Sequence, residues 1–223
     1  MTAAYFLKRR TAFIRQFYDT SSTTYVERMT MIDNGVDPWI PAHNENGEPP
    51  YLEEWLEADE SIQVLAQSCI SMLAATLQLY FKSWVEMSGI EPDESLKPLF
   101  KKNWLLGYKE YFRSQMHIDF DSGKVNLHLL QELVLARNRI AHQESIYDQS
   151  AIYSRSDLKK LRHPFFMEEN ESALLPVDNE EIGRWLQPPR IRIPRDRLYA
   201  VLAEVDQFGE WLESVDSSTR TGE

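Results

Sequence analysis

Residues 61–81, SIQVLAQSCISMLAATLQLYF, decide the fold because these 21 consecutive positions contain no charged residue. The length approaches what a bilayer requires, so a transmembrane helix is one alternative. A polar stripe at helical spacing runs through Gln63, Gln67, Ser71, Gln78 and Lys82. An apolar stripe runs through Ile62, Ala66, Cys69, Leu73, Leu77, Tyr80 and Trp84. Because the two stripes are separate, the pattern favours the central helix of a bundle over a membrane span.

Helical patterns on both sides of this stretch predict an all-α protein, an antiparallel bundle of about five helices. We expect helices at about 4–31, 51–87, 97–116, 127–143 and 195–214, the first with a weak point at 20–24. Gly89 and Pro92 are expected to end the second helix, and Asn126 to cap the fourth. The buried side of the first helix is expected to carry Phe6, Phe13 and Phe17. In the third, Phe100, Trp104, Tyr108 and Tyr111 are expected in the core rather than in a base-stacking platform.

The segments between the helices have different signatures. Residues 34–50 are rich in Gly and Pro and predict a loop. Residues 116–126 alternate apolar and polar side chains around a Gly, a pattern that predicts a small β-hairpin. A calcium-binding loop is disfavoured here because the segment holds too few oxygen ligands. Residues 144–194 contain five prolines and predict a long irregular insertion with a short helical piece at 179–187. We expect one domain over 1–217, followed by a flexible tail at 218–223.

Charge and cysteine content restrict the classes of function. The net charge of −11 argues against a surface devoted to nucleic acid, although it allows a local basic cleft. Cys69 is the single cysteine, so an intrachain disulfide is excluded and a reducing compartment is the natural setting. The first ten residues lack the apolar run of a secretory signal. We therefore predict a cytoplasmic protein that does not span a membrane.

Arg137 is the residue that most needs an explanation. On a helical wheel it lies in the middle of the apolar face of the fourth helix. That face consists of Leu127, Leu130, Leu133, Val134, Ile140 and Ala141. A guanidinium in such a place is costly unless it meets a carboxylate, a phosphate or the polar groups of a second subunit. Arg137 is therefore a candidate functional residue.

His142 follows Arg137 by five residues, which places the two side chains about 140° apart on an ideal helix. Two arrangements would bring them together. Either the helix unwinds before His142, or two copies of the helix meet across a dimer axis. Asn138 precedes His142 by four residues and would lie beside it, where its amide could orient the imidazole ring.

The series Arg137, Asn138 and His142, with Glu132 on the preceding turn, at the end of a helix in a small all-α bundle, resembles the HEPN superfamily. The resemblance implies a homodimeric endoribonuclease that uses neither metal nor other cofactor and joins two motifs into one cleft. It makes Arg137 and His142 the catalytic pair, with Asn138 and Glu132 in support. Several members are toxins or antiphage effectors, whereas others keep the fold without activity. The resemblance leaves open an antitoxin or regulatory partner.

The chain departs from one subgroup of that superfamily at Glu144. The subgroup carries a Tyr at this place, two residues after the His, where a partner enzyme modifies it. Regulation by that modification is therefore not expected here.

The chemistry of these residue types suits RNA cleavage without metal. A histidine can take and return a proton, and an arginine can bind phosphate oxygens. Arg190, Arg192 and Arg195 are candidate RNA-binding residues, and Lys8, Arg9, Arg10 and Arg15 form a second basic group. For both groups, a solvated face is the alternative. For the motif, the alternative is that Arg137 pairs with a buried carboxylate and His142 caps the helix, in a catalytically silent dimerisation or partner-binding module.

Overall fold

A computed structural model of the chain describes residues 2–41, 49–142, 151–161, 163–167 and 189–220. The α-helices of this part are α1 (Ala3–Asp33), α2 (Leu52–Ser88), α3 (Lys97–Lys102), α4 (Trp104–Gln115), α5 (Leu127–Ala141), α6 (Arg155–Leu161) and α7 (Arg195–Arg220). The β-type pairing described in these residues is one isolated antiparallel bridge between Ile152 and Arg190. The all-α prediction is therefore confirmed, with seven helices in the described part rather than about five.

Helix α2 lies at the centre and packs against α1, α5 and α7. Its apolar stripe is buried except at Ile62, which is half-buried; Leu73 and Leu77 of the stripe are fully enclosed, as is Phe81 beside it. By length and composition α2 could cross a membrane, but 56% of its most apolar 18-residue window is buried inside the protein. The helix ends at Gly89, whose φ of 66° is the left-handed conformation expected of a glycine cap.

The polar stripe of α2 has a structural role of its own. Gln63 Oε1 accepts a hydrogen bond from Ile193 N–H at 2.9 Å, and Gln67 Nε2 donates to the Ile191 carbonyl at 3.4 Å. The extended residues 189–193 also pair with 151–153, since Ile191 N–H donates to the Ala151 carbonyl at 2.7 Å. Two stretches near the two ends of the predicted insertion are thus paired with each other, and residues 191–193 are fixed against the central helix.

Helix α1 is unbroken through residues 20–24, and the prediction for its buried side is wrong. Phe6, Phe13 and Phe17 are 51%, 57% and 37% exposed. The buried side instead carries Ala4, Leu7, Thr11, Ile14, Tyr18 and Ser22. The smaller side chains face α7 because the two helices approach closely: a Cβ on Gly209 would lie 2.6 Å from Leu7 Cδ2. A hydrogen bond also fixes the orientation of α1 about its axis, since Thr11 Oγ1 donates to Asp206 Oδ1 at 2.6 Å.

The predicted third helix is divided at Asn103. The backbone of Asn103 is extended, and its side-chain oxygen accepts from the N–H groups of Leu105 and Leu106, so α4 begins there with its own cap. Phe100 of α3 then folds back and packs edge-on against Tyr108 of α4. Tyr108 and Tyr111 are buried, as predicted for core aromatics, whereas Phe100 and Trp104 are half-buried and pack against the core.

The predicted hairpin at 116–126 is wrong. The segment forms a short 3₁₀ turn at Phe120–Ser122, closed by the Asp119 carboxylate, which accepts the Asp121 N–H at 3.0 Å. Phe120 is fully buried among aromatic rings that include Phe81 and Phe208. Ile118 and Phe120, both buried and two residues apart, account for the alternating pattern without a second strand.

The remaining boundaries are partly as expected. Asn126 caps α5 through a hydrogen bond from Leu129 N–H at 3.1 Å, which confirms that prediction. Helix α7 continues to Arg220, beyond the predicted end at 214 and into the predicted tail. The insertion predicted as irregular over 144–194 contains α6. The helical piece expected at 179–187 lies outside the described residues, as do most of the loop after residue 41, Glu144 and residues 221–223.

Candidate functional site

The end of α5 holds three of the predicted site residues. The helix stops at Ala141, and His142 has the non-helical angles φ −127° and ψ 56°. The His142 N–H still donates to the Asn138 carbonyl at 3.0 Å, while its side chain is exposed. The helix therefore ends directly before His142, as one of the two predicted arrangements requires; the approach of the imidazole to Arg137 stays a prediction.

Arg137 is half-buried, five residues before His142. Its Nη1 donates to the side-chain oxygen of Asn138 at 3.0 Å. No carboxylate of the described residues pairs with Arg137. The neighbouring amide thus holds the guanidinium, so Asn138 contacts Arg137 with its side chain and His142 with its backbone.

Arg139 has a different environment from Arg137. Its Nε donates to Asp157 Oδ2 at 2.7 Å, and its Nη2 donates to Ser154 Oγ, also at 2.7 Å. The Asp157 side chain is only 5% exposed. Burial acts to raise the pKa of Asp157, but the hydrogen bonds from Arg139 and Ser154 outweigh it and hold that pKa below the ordinary value.

Ser154 and Asp157 also form a capping box at the start of α6. Ser154 N–H donates to Asp157 Oδ2 at 2.9 Å, and Asp157 N–H donates to Ser154 Oγ at 3.2 Å. The Ser-x-x-Asp spacing is a sequence signature of a helix start, so this helix could have been predicted. Arg139 binds to that box, which joins α6 to the last turn of α5.

Glu132 is a buried anchor on the same helix. One oxygen, Oε1, accepts hydrogen bonds from Tyr153 Oη at 2.6 Å and from the N–H groups of Phe165 and Phe166 at 2.6 and 3.0 Å. Burial, together with the adjacent carboxylate, raises the pKa of Tyr153 strongly. The carboxylate of Glu132 thus fixes Tyr153 and the backbone of residues 165–166 against α5, one and a half turns before Arg137.

The three candidate RNA-binding arginines lie in different surroundings. Arg192 Nη2 lies 3.0 and 2.8 Å from the two carboxylate oxygens of Asp59 on α2. Arg195 Nη2 donates to Asp19 Oδ1 of α1 at 2.8 Å. Arg190 is exposed at the bridge with Ile152. Two of the three therefore bind carboxylates of their own chain, and RNA binding by this group stays a prediction.

The turn that ends α5 thus combines an exposed imidazole with a half-buried guanidinium that has an amide as its partner. An imidazole can transfer protons, and a guanidinium can bind and stabilise an oxyanion, so the pair is chemically suited to phosphoryl transfer. The chain matches no protein-family model, and no curated protein and no solved structure matches it either.

Proposed function

We propose that this chain is a HEPN-like endoribonuclease that cleaves RNA without metal, as a homodimer of antiparallel helical bundles. One observation carries the proposal: the half-buried Arg137 donates to the amide of Asn138 and has no carboxylate partner in the described residues. A guanidinium held by a neutral group keeps its full charge for an external anion. His142 lies at the same end of α5, exposed to any bound substrate.

The contrast between neighbouring arginines supports this assignment. Arg139 is neutralised by Asp157 and serves the contact between α5 and α6. Arg137 is half-buried like Arg139 but makes no such ion pair with any carboxylate in the part of the chain that the structure describes. A phosphate of a bound RNA would supply the missing counter-charge.

The reaction follows from these groups. The imidazole of one His142 takes the proton of a ribose 2′-hydroxyl, whose oxygen attacks the adjacent phosphorus. The bond from phosphorus to the 5′-oxygen breaks, and the leaving oxygen receives a proton from an imidazolium. Arg137 stabilises the charge that develops on the phosphoryl oxygens. The products are a 2′,3′-cyclic phosphate and a 5′-hydroxyl end.

A second copy would complete the site. Ala141 is exposed and Ile140 half-buried beside Arg137, so the apolar face of α5 is only partly covered at this end. Pairing two such ends about a two-fold axis would cover that surface and place two imidazoles and two guanidiniums in one cleft.

The test is incubation of purified wild type with mixed RNA in EDTA, followed by electrophoresis and analysis of the ends. We expect cleavage with cyclic phosphate ends by wild type, a loss of at least about 100-fold in His142→Ala, and a similar loss in Arg137→Ala. His128→Ala is the matched control, because His128 is also an exposed histidine on α5. Intact RNA with wild-type protein, or equal cleavage by His142→Ala, would refute the proposal.

We further propose that the ribonuclease acts as a toxin or antiphage effector and that an antitoxin or another regulatory partner restrains it. Expression of wild type in a bacterial host is then expected to arrest growth and degrade cellular RNA, whereas His142→Ala at the same protein level is expected to be tolerated. Arrest by both proteins would show that the harm is independent of the site.

A second candidate function is a catalytically silent dimerisation or partner-binding module. It is favoured by the outer face of α2, where Val64 and Leu79 are 59% and 45% exposed. Apolar groups left in water along one helix are typical of a surface that binds another protein. An association that Val64→Ala/Leu79→Ala abolishes, together with the absence of RNA cleavage, would favour this candidate.

A further inference from the structure

Helix α1 has a face that the rest of the described structure leaves uncovered. It packs against α2 and α7 through its buried side, and Phe6, Phe13 and Phe17 point elsewhere. At about 100° per residue these rings fall within an arc of roughly 100° that also holds Arg9 and Arg10. We call these five exposed residues, Phe6, Arg9, Arg10, Phe13 and Phe17, the outer face of α1.

The charge of this region is opposite to that of the whole chain. Residues 1–18 contain Lys8, Arg9, Arg10 and Arg15 and no acidic residue, although the net charge of the protein is −11. Lys8 pairs with Glu210, and the Arg15 guanidinium lies 4.6 Å from the centre of the Tyr199 ring. Arg9 and Arg10 have no carboxylate partner in the described residues, so their charges remain available to an anion.

The aromatic rings are arranged as platforms. The rings of Phe13 and Phe17 are nearly parallel, with an interplanar angle of 16° and centroids 6.3 Å apart. Exposed aromatic rings interspersed with cations are what proteins use to bind single-stranded nucleic acid, because every base has a face that stacks and every linkage has a charge. Phe13 is 57% and Phe17 37% exposed, so both rings present surface to solvent.

We propose that the outer face of α1 binds single-stranded nucleic acid, with bases stacked on Phe13 and Phe17 and phosphates paired with Arg9 and Arg10. This binding requires neither Arg137 nor His142 and therefore goes beyond the proposed ribonuclease activity. If both proposals hold, α1 would be a surface that retains the strand while cleavage occurs at α5.

Charge and size distinguish this ligand from two other occupants. If a second copy bound through the same face, Arg9 and Arg10 of the two copies would lie close together and repel each other, because the face contains no acidic residue. A bilayer surface would need a longer apolar stripe, whereas the rings span about 17 Å and the same arc continues through Thr20, Thr24 and Glu27. A short polyanion with stacking bases satisfies both features.

The test is fluorescence anisotropy with a fluorescein-labelled, 2′-O-methylated 12-mer, which binds but cannot be cleaved by attack of a 2′-hydroxyl. Phe13→Ala/Phe17→Ala is expected to bind at least about tenfold more weakly than wild type. Arg9→Gln/Arg10→Gln is expected to lower the slope of log Kd against log salt by about 1.4, since each single-strand phosphate contact contributes about 0.7.

Two control variants make the result specific. Val64→Ala/Leu79→Ala removes exposed apolar groups from α2 and is expected to bind the 12-mer like wild type. His128→Ala, which changes an exposed histidine outside both proposed sites, is also expected to bind it like wild type; RNA cleavage is measured separately, so that a failure of the ribonuclease proposal is distinguishable from a failure of this one. All variants change exposed side chains, and circular dichroism checks that each is folded.

Four outcomes would overturn the proposal. The first is absence of binding by wild type at about 50 mM salt. The second is unchanged affinity in Phe13→Ala/Phe17→Ala. The third is a wild-type protein that binds phosphatidylserine vesicles but not the 12-mer, and that loses its vesicle binding in Phe13→Ala/Phe17→Ala. The fourth is a wild-type dimer that dissociates in Phe13→Ala/Phe17→Ala while 12-mer binding is absent.

Discussion

Arg137 and Arg139 lie two residues apart at the end of α5, and they have opposite kinds of partner. Arg139 donates to the buried carboxylate of Asp157, whereas Arg137 donates to the uncharged amide of Asn138. Because both are arginines on the same helix, substitutions at the two positions separate the stability of this region from its proposed chemistry.

Arg139→Ala is expected to lower the free energy of unfolding by about 2–3 kcal/mol, since it leaves the carboxylate of Asp157 buried without its ion-pair partner. Arg137→Ala is expected to cost less than about 1 kcal/mol, because it breaks one hydrogen bond to a neutral group. Urea denaturation measures both values. Equal losses in the two variants would contradict the division of roles.

Glu132→Ala is expected to destabilise the protein by about 3–5 kcal/mol, because three donors lose their acceptor at a buried position. Glu132→Gln keeps a side-chain oxygen that can accept, and it is expected to cost less than half as much. Thermal denaturation of the two variants, with Tyr153→Phe as the control that removes one donor, checks the order. A larger loss in Glu132→Gln than in Glu132→Ala would show that the carboxylate is not the acceptor.

The stability supplied by Asp157 is expected to depend on pH in one direction. Because its folded-state pKa is lowered, its contribution is fully present above the unfolded-state pKa, about 3.9, and is lost as pH falls through the folded-state value. The difference in unfolding free energy between wild type and Asp157→Asn is therefore expected to be constant from pH 5 to 7 and to shrink below about pH 4. Arg139→Ala is expected to lose the same pH-dependent contribution to the unfolding free energy, because it removes the partner of Asp157. A difference that grows on acidification would contradict the assignment.

Gly209→Ala is expected to destabilise the contact between α1 and α7 by about 1–2 kcal/mol, since the new methyl group would lie 2.6 Å from Leu7 Cδ2. Leu7→Ala alone is expected to cost about 2–5 kcal/mol through the cavity it leaves. In the double variant the added methyl occupies part of that space, so the loss is expected to fall short of the sum by at least about 1 kcal/mol. Additive losses would mean that the two positions do not meet.

The features that sequence reasoning predicted well are those that one segment specifies by itself. The apolar stripe of α2, its cap at Gly89 and the cap of α5 at Asn126 each follow from residues within a few turns of one another. The position of Arg137 at a partly buried place near the end of α5 followed in the same way from helical spacing.

The errors came from features that depend on a distant partner. Helix α1 carries a second apolar stripe beside that of Phe6, Phe13 and Phe17, and the local sequence does not show which of the two a neighbouring helix covers. Gly209 and Asp206, almost two hundred residues away, select the stripe with Leu7 and Thr11 instead. Likewise, nothing next to Glu132 in the sequence shows that its carboxylate meets Tyr153 and the backbone of residues 165–166.

The hydrogen bonds of Gln63, Gln67 and Glu132 have a consequence for dissecting the chain. A fragment that ends at His142 would contain α1 to α5 but would lack every group that these three side chains bind in residues 151–167 and 189–193. Its central helix would also lose the cover of Ile191 and Ile193, which are fully buried in the intact protein. We therefore expect that the first five helices do not fold on their own, because the polypeptide that follows α5 contributes Ile191 and Ile193 to the interior.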